Sequence, residues 1–412
     1  MDTITHGIAG ALIGKAFFSK QKRVVPVATF AAVGGAMFPD IDIVRYAFSS
    51  DPLAIVKYHR AITHSFIALP FFAVALAWLT RALFPFVQRK IPKLADLESP
   101  SFAMLTLIYA VGLASHILLD GMTSFGTRMW TPISQTRVAW DILFIIDFVF
   151  TSLVLVPQIV AWIFAKKEKS RVRGIAMWTV FTVASVGAWF IARNVGFPFH
   201  LWIVALASAI FALVFFAPAI RGWGFTLGTP AWCQIGAFLT LLYLFVATYA
   251  HHVAIHRVAA FSSAQGVTAN RQAAIPLPPS LLDWGGEVRS PNGVYQSRFD
   301  LRDPDPPPFH FVPDSPPSDY VMRAMQLPEV QLYWQFARFP VIRTSSQPGV
   351  HVVDFNENRF IARQNPDKGP TPFSYRVVFD DSGNVIEEGW QADGLNVRRM
   401  SRILPPHGKE LK

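Results

Sequence analysis

Up to about residue 255 the chain is a succession of apolar runs broken by short polar segments. Beyond that point prolines, charges and short alternating stretches replace them. The apolar runs fall at 24–38, 66–86, 102–119, 142–165, 174–192, 199–220 and 232–250, with a shorter one at 7–18. Most approach the roughly 20 residues a helix needs to cross a bilayer. The two N-terminal runs are shorter, which suits tilted, partial or closely packed helices. The pattern predicts about seven to eight helices of a polytopic membrane protein.

The tail reads differently. GVYQSRFDL, GVHVVDFN and YRVVFDDSGNVIEEGW alternate or carry strand-forming residues, and DDSGN marks a hairpin turn. IPLPPSLLDW and RDPDPPPFHFVPDSPP predict extended, proline-rich backbone. The expected organisation is a helical membrane core over 1–150, further membrane helices over 151–255, and a proline-rich linker with a small β-rich domain over 256–412.

Charge sets the expected sidedness. Lys20, Lys22 and Arg23 follow the first run, Arg89, Lys90 and Lys93 the third, Lys166 to Arg173 the fifth, and Arg221 the seventh. These are alternate loops, so one topology places all of them in the cytoplasm, with both termini and the β-rich domain outside. The net charge of +10 then reports basic loops, and no nucleic-acid partner is expected. Cys233 is the single cysteine, so any metal site must use His, Asp or Glu. MDTITHGIAG lacks the basic segment and cleavage motif of a signal peptide, and no removal is expected.

Against that topology, certain polar residues stand out. His6 opens the first helix, Asp40 and Asp42 close the second, and His59, Arg60 and His64 precede the third. His116 and Asp120 close the fourth, and Trp140-Asp141 opens the fifth. All fall on the extracytoplasmic side. His and carboxylate are the usual ligands of zinc-like ions where thiolates are absent. His116 and Asp120, four apart, share a helix face. His59 is expected in the loop, with Thr63 or Ser65 near the following N-cap. Asp141 and Asp147 are candidate partners that orient ligand imidazoles. Arg60 is a cation among cations, which makes sense as a clamp for an anion. His251, His252 and His256 end the last run without a carboxylate and read as interfacial packing.

THGIAG, FPDIDIVR, HRAITHS and HILLDGMTSFGTRMWTPIS, followed by WDILFIIDFVF, resemble the membrane-bound metal-dependent hydrolase family, described as LexA-binding and inner-membrane-associated. The resemblance covers about the first 150 residues, and FARFPVI at 336–342 is similar to the C-terminal region of long members. It implies distant kinship with zinc-dependent phospholipase C enzymes, whose H-x-x-x-D ligand pair HILLD matches at His116 and Asp120. His6, Asp40, Asp42, His59 and His64 match the membrane family's own motifs and are implied as further ligands.

The expected function is a metal-dependent hydrolase at the outer face of the cytoplasmic membrane, cleaving a phosphoester of a lipid or lipid-linked substrate. One to three divalent ions, zinc foremost, would be held there, with Asp42 as base and Arg60 on the phosphate. The competing readings are a transporter or ion-binding protein, and a non-catalytic scaffold stapled by metal.

Overall fold

The computed structural model describes residues 1–18, 23–49, 51, 53–194, 200–278, 281–304, 307–360, 373–391 and 401–403. Lys20 and Lys22 of the first basic loop lie outside them. The helical part comprises α1 (Thr3–Phe17), α2 (Val25–Met37), the short α3 (Asp42–Ala47) and α4 (Ala54–Tyr58), α5 (Leu69–Lys90) and α6 (Phe102–Gly121). It continues through α7 (Phe148–Phe164), α8 (Lys167–Asn194), α9 (Leu201–Ile220) and α10 (Thr229–Ala264). Six segments of the described chain are long and apolar enough to cross a membrane, namely Val25–Arg45, Leu69–Lys90, Phe102–Gly121, Lys167–Ile191, Leu201–Ile220 and Thr229–Ala264. The helices α1 and α7 are shorter and pack inside the bundle. The chain is a polytopic helical membrane protein with a small β-rich C-terminal domain.

The outer surfaces of α5, α8, α9 and α10 expose Phe71, Trp78, Phe190, Leu201, Leu213 and Phe245, the arrangement of side chains that face lipid. Inside, α1, α2 and α6 approach so closely that small residues line their contacts. A Cβ on Gly10 would lie 2.6 Å from the Ala32 carbonyl oxygen, and one on Gly112 2.7 Å from the same atom. Neither position tolerates a larger side chain without separating the helices. The turns after α1 and α5 meet, the Glu98 N–H donating to the Arg23 carbonyl at 3.1 Å. Phe164 at the end of α7 packs on Phe225 in the turn after α9. The basic turns thus gather at one end of the bundle, and the His and Asp residues at the other.

Three boundaries differ from the expectation. First, the fifth helix starts at Phe148, not at 142, because residues 122–147 run as an irregular segment and Asp147 caps the helix through the Val149 and Phe150 N–H groups. Second, α5 starts at Leu69, so neither Thr63 nor Ser65 caps it; His64 sits in a single turn, Ile62–His64, ahead of it. Third, α10 runs for 36 residues. At 1.5 Å per residue that is about 54 Å, well beyond a bilayer. Its last turns, with Ala254, Val258 and Phe261, pack against Trp284, Val288 and Phe299 of the C-terminal domain.

That domain holds two antiparallel sheets. The first, in sequential order, is β1 (Arg271–Pro276), β2 (Asp283–Ser290), β3 (Gly293–Asp300) and β4 (His310–Pro313). Two short helices follow, α11 (Asp319–Gln326) and α12 (Pro328–Phe336). The second sheet is β5 (Pro340–Gln347), β6 (Val350–Glu357), β7 (Ser374–Phe379), β8 (Val385–Gln391) and β9 (Ser401–Ile403). The expected DDSGN hairpin joins β7 to β8, with Gly383 at φ 78° and the Asp380 carboxylate accepting the Asn384 N–H. The second sheet and its helices share one core with Leu53, Val56 and Phe125 of the membrane part, so the domain is seated at the end that carries the His and Asp residues.

Glu287 on β2 is buried, and its Oε2 has no hydrogen-bond partner. Burial first, and then the Glu357 carboxylate, raise its pKa well above the ordinary range. A raised carboxyl pKa makes the fold bind the proton more tightly than the unfolded chain does. Its stabilising effect is therefore full below about pH 4.5 and is lost as pH rises toward the folded value. Glu287→Gln is expected to raise the thermal unfolding temperature at pH 8 and leave it unchanged at pH 5, as read by a melting curve at each pH.

Candidate metal centre

Four chain segments converge at one end of the bundle. They are the start of α1, the turn after α2, the loop 59–64 before α5 and the end of α6. Helices α1, α2, α5 and α6 alternate in direction, so residues at a start, an end, a start and an end lie together. The small-residue packing brings α1, α2 and α6 close enough for their polar side chains to touch.

His6, His64, His116 and Asp120 are fully buried, and Asp40 and Asp42 nearly so. The Nε2 atoms of His64 and His116 face each other at 3.0 Å. Asp120 Oδ2 lies 3.3 Å from His64 Nε2 and 3.4 Å from His116 Nε2. Asp40 Oδ1 lies 3.6 Å and 3.5 Å from the same two atoms. A tetrahedral ion with donors at about 2.0–2.1 Å requires donor–donor edges of about 3.3–3.4 Å. Five of the six edges among these four atoms thus lie close to the spacing that a small divalent ion requires.

The outward nitrogens support that use. His116 Nδ1 lies 2.6 Å from the Ala36 carbonyl oxygen, an acceptor, so it carries the proton and leaves Nε2 as a lone pair. His64 Nδ1 contacts Thr63 Oγ1 at 3.0 Å and Asp42 Oδ2 at 3.4 Å. Asp120 Oδ2 is buried, with Arg60 Nε 2.8 Å away. Arg60 offsets one of the two carboxylates, and a cation between the imidazoles would compensate the other. The donor set thus fits a divalent ion.

Asp40, Asp42 and His59 form a second group with metal-capable spacing, Asp40 being common to both. His59 Nδ1 is 3.1 Å from Asp42 Oδ1. Burial lowers the His59 pKa, with the Asp42 carboxylate opposing it. Asp40 would be a ligand common to both groups. Thr3 Oγ1 donates to its other oxygen.

His6 belongs to neither group. Its ring stacks on His116 at 3.7 Å and its Nε2 is 3.1 Å from Asp120 Oδ1, where the Met1 amine also bonds. It backs the ligands. Arg60 differs more from its expected role as anion clamp. The side chain is 2% exposed, Nε lies 2.8 Å from Asp120 Oδ2, and Nη1 donates to the Asp120 carbonyl and to Thr123 Oγ1. Its backbone, at φ 58°, is held by the Arg60 N–H donating to Asp42 Oδ2 at 2.9 Å. A non-glycine residue in that region is strained and is retained because its surroundings require it.

Asp141 and Asp147 touch no ligand imidazole. Asp141 forms a two-pronged pair with Arg338 at 2.9 and 2.8 Å, locking the C-terminal domain to the membrane part. Asp147 caps α7 and accepts from the Tyr243 hydroxyl. The orienting partners expected of them are instead the Ala36 carbonyl, Thr63 and Asp42. His252 and His256 lie edge to face on α10, in neither metal-capable group.

Sequence reasoning passed over Arg128, Arg137 and Phe125, which border His59. The Phe125 ring is 5.4 Å from the His59 ring, and Arg137 Nη2 donates to the His59 carbonyl. Their signal was available: arginines on the side that the basic-loop pattern leaves poor in Lys and Arg.

A family model described as YdjM inner membrane protein matches residues 1–196. The stretch similar to that family includes every member of the cluster and stops short of the β-rich domain. No curated protein and no solved structure matches the chain significantly.

His64→Ala and Asp120→Asn are each expected to remove the bound divalent ion, counted by elemental analysis of the purified protein. Asp147→Ala should leave the ion in place and lower stability by about 1 kcal/mol, the scale of a lost helix cap.

Proposed function

We propose that the chain is a metal-dependent hydrolase whose site opens at the outer face of the cytoplasmic membrane and acts on a phosphoester of a lipid or lipid-linked substrate. The observation that carries this reading is the tetrahedral set formed by Asp40, His64, His116 and Asp120, with the second group beside it. When bound, a divalent ion polarises a phosphoryl oxygen and makes nearby water more acidic.

The chain's own groups divide the remaining work. His64 and His116 are buried, whereas the His59 side chain is 15% exposed, so substrate approaches from the His59 and Asp42 side. Asp42, hydrogen-bonded to His59 and to the Arg60 N–H, is positioned to take a proton from attacking water. Arg60 holds the Asp120 carboxylate in place rather than touching substrate. The C-terminal domain, joined by Arg338 to Asp141 and by Arg359 Nη1 to the Ser124 carbonyl, packs on the loop that carries Phe125.

Two features support a membrane-borne substrate and the outward orientation. Trp130 and Ile133 are exposed in the same irregular segment, as side chains dipping into a lipid interface would be. The basic turns at the opposite end favour a cytoplasmic location for that end. Ligands at helix ends, rather than at broken helices near the midplane, favour surface chemistry over transport.

Purified protein in lipid nanodiscs is expected to release phosphate or a phosphorylated head group from a phospholipid panel. Chelation should abolish that release, and added divalent ion should restore it. Unchanged turnover by His116→Ala would overturn the assignment.

A further inference from the structure

Two guanidiniums meet at one backbone carbonyl. Arg128 Nη2 donates to Val56 O at 2.9 Å, and Arg137 Nη2 donates to the same oxygen at 2.8 Å. Arg128 also donates to Lys57 O and Gln135 Oε1, and Arg137 to Gly126 O and His59 O. Every one of these acceptors is neutral. Among the described residues no carboxylate forms an ion pair with either arginine, although Arg60 and Arg359 nearby have Asp120 and Glu357. The Arg128 Nε is buried and has no partner.

Like charges at one carbonyl repel, and neutral amide donors could pin the same loop without that cost. Burial, and then Arg128, Arg60 and Arg359, all disfavour the charged form of Arg137. A guanidinium nevertheless keeps its proton at any physiological pH, so the repulsion persists as concentrated positive potential. Of the carboxylates of the centre, Asp42 opposes this effect at Arg137 without forming an ion pair with either guanidinium. Arg128 and Arg137 remain in excess, half-buried and at the mouth rather than sealed inside.

The position is defined by the site already described. Arg137 Cζ lies 5.2 Å from the centre of the Phe125 ring and Arg60 Cζ 5.1 Å from it. The same ring touches His59, the most exposed metal-capable donor. We infer that Arg128 and Arg137 form the subsite for the phosphate group of the substrate, beside the metal centre and reached from the His59 side. This deepens the hydrolase reading and rests on it for the identity of the site. Each guanidinium has five N–H groups, and those not spent on these acceptors can donate to a tetrahedral anion that offers several oxygens.

Metal-loaded full-length protein in phosphatidylcholine nanodiscs provides the test, with two probes: inorganic phosphate added by titration, and phosphatidic acid incorporated in the disc. Arg137→Gln and Arg128→Gln are each expected to weaken binding of at least one probe by about tenfold or more, the scale of a lost charge-assisted contact. Bound metal should be unchanged. Arg137→Lys should fall between, keeping charge and losing the fork. A phosphatidic acid effect without a free phosphate effect would place the ligand in the lipid, and the converse in solution; both support the subsite. Should Arg137→Gln lose metal or fail to fold, Arg128→Gln and Arg137→Lys decide. Wild-type affinity in the folded variants for both probes, or no binding of either probe by the wild type, overturns the subsite. Arginine-dependent binding without turnover on any lipid would instead overturn the hydrolase reading and leave the anion site standing.

Discussion

Asp120 is the charge around which this end of the molecule is arranged. It is fully buried at the last turn of α6, where an unpaired carboxylate would be prohibitive. Arg60, His6 and the Met1 amine reach it from two other segments, while His64 and His116 face its second oxygen. One carboxylate thus ties together α1, the loop before α5 and α6. The close helix packing permitted by Gly10 and Gly112 is what allows those segments to reach it.

The same constraint shapes the chemistry. A buried set of two imidazoles and two carboxylates is unstable as a set of bare charges and stable around a cation. Arg60 cannot serve both Asp120 and a substrate. Its strained backbone and its three contacts commit it to holding the ligand. In the proposed subsite, anion recognition falls to the next pair of arginines outward, whose hydrogen-bond partners are neutral acceptors. A charge gradient results, from a compensated interior at Asp120 to an uncompensated cationic mouth at Arg128 and Arg137.

The C-terminal domain is part of this end rather than an appendage. Its core includes Leu53, Val56 and Phe125, and Arg338 fixes Asp141, itself at φ 54°. The last turns of the long α10 pack on the first sheet of the domain, while its second sheet shares a core with Phe125 of the irregular segment that borders the site.

Much of this was legible from the chain alone. Apolar runs spaced by basic loops determine the helices and their alternation, because burial in lipid demands continuous apolar helix. Alternation in turn determines that His6, Asp40, His64 and Asp120 share one end. The period of four in HILLD determines that His116 and Asp120 share a face. Only the tertiary structure decided which oxygen of Asp120 meets which nitrogen, that Arg60 is spent on Asp120, and that Asp141 binds Arg338 nearly two hundred residues away. Periodicity reports the direction in which a side chain leaves its own helix. The partner it meets depends on the distance between helices, and on a loop from 122 to 147 whose path no repeat in the sequence describes.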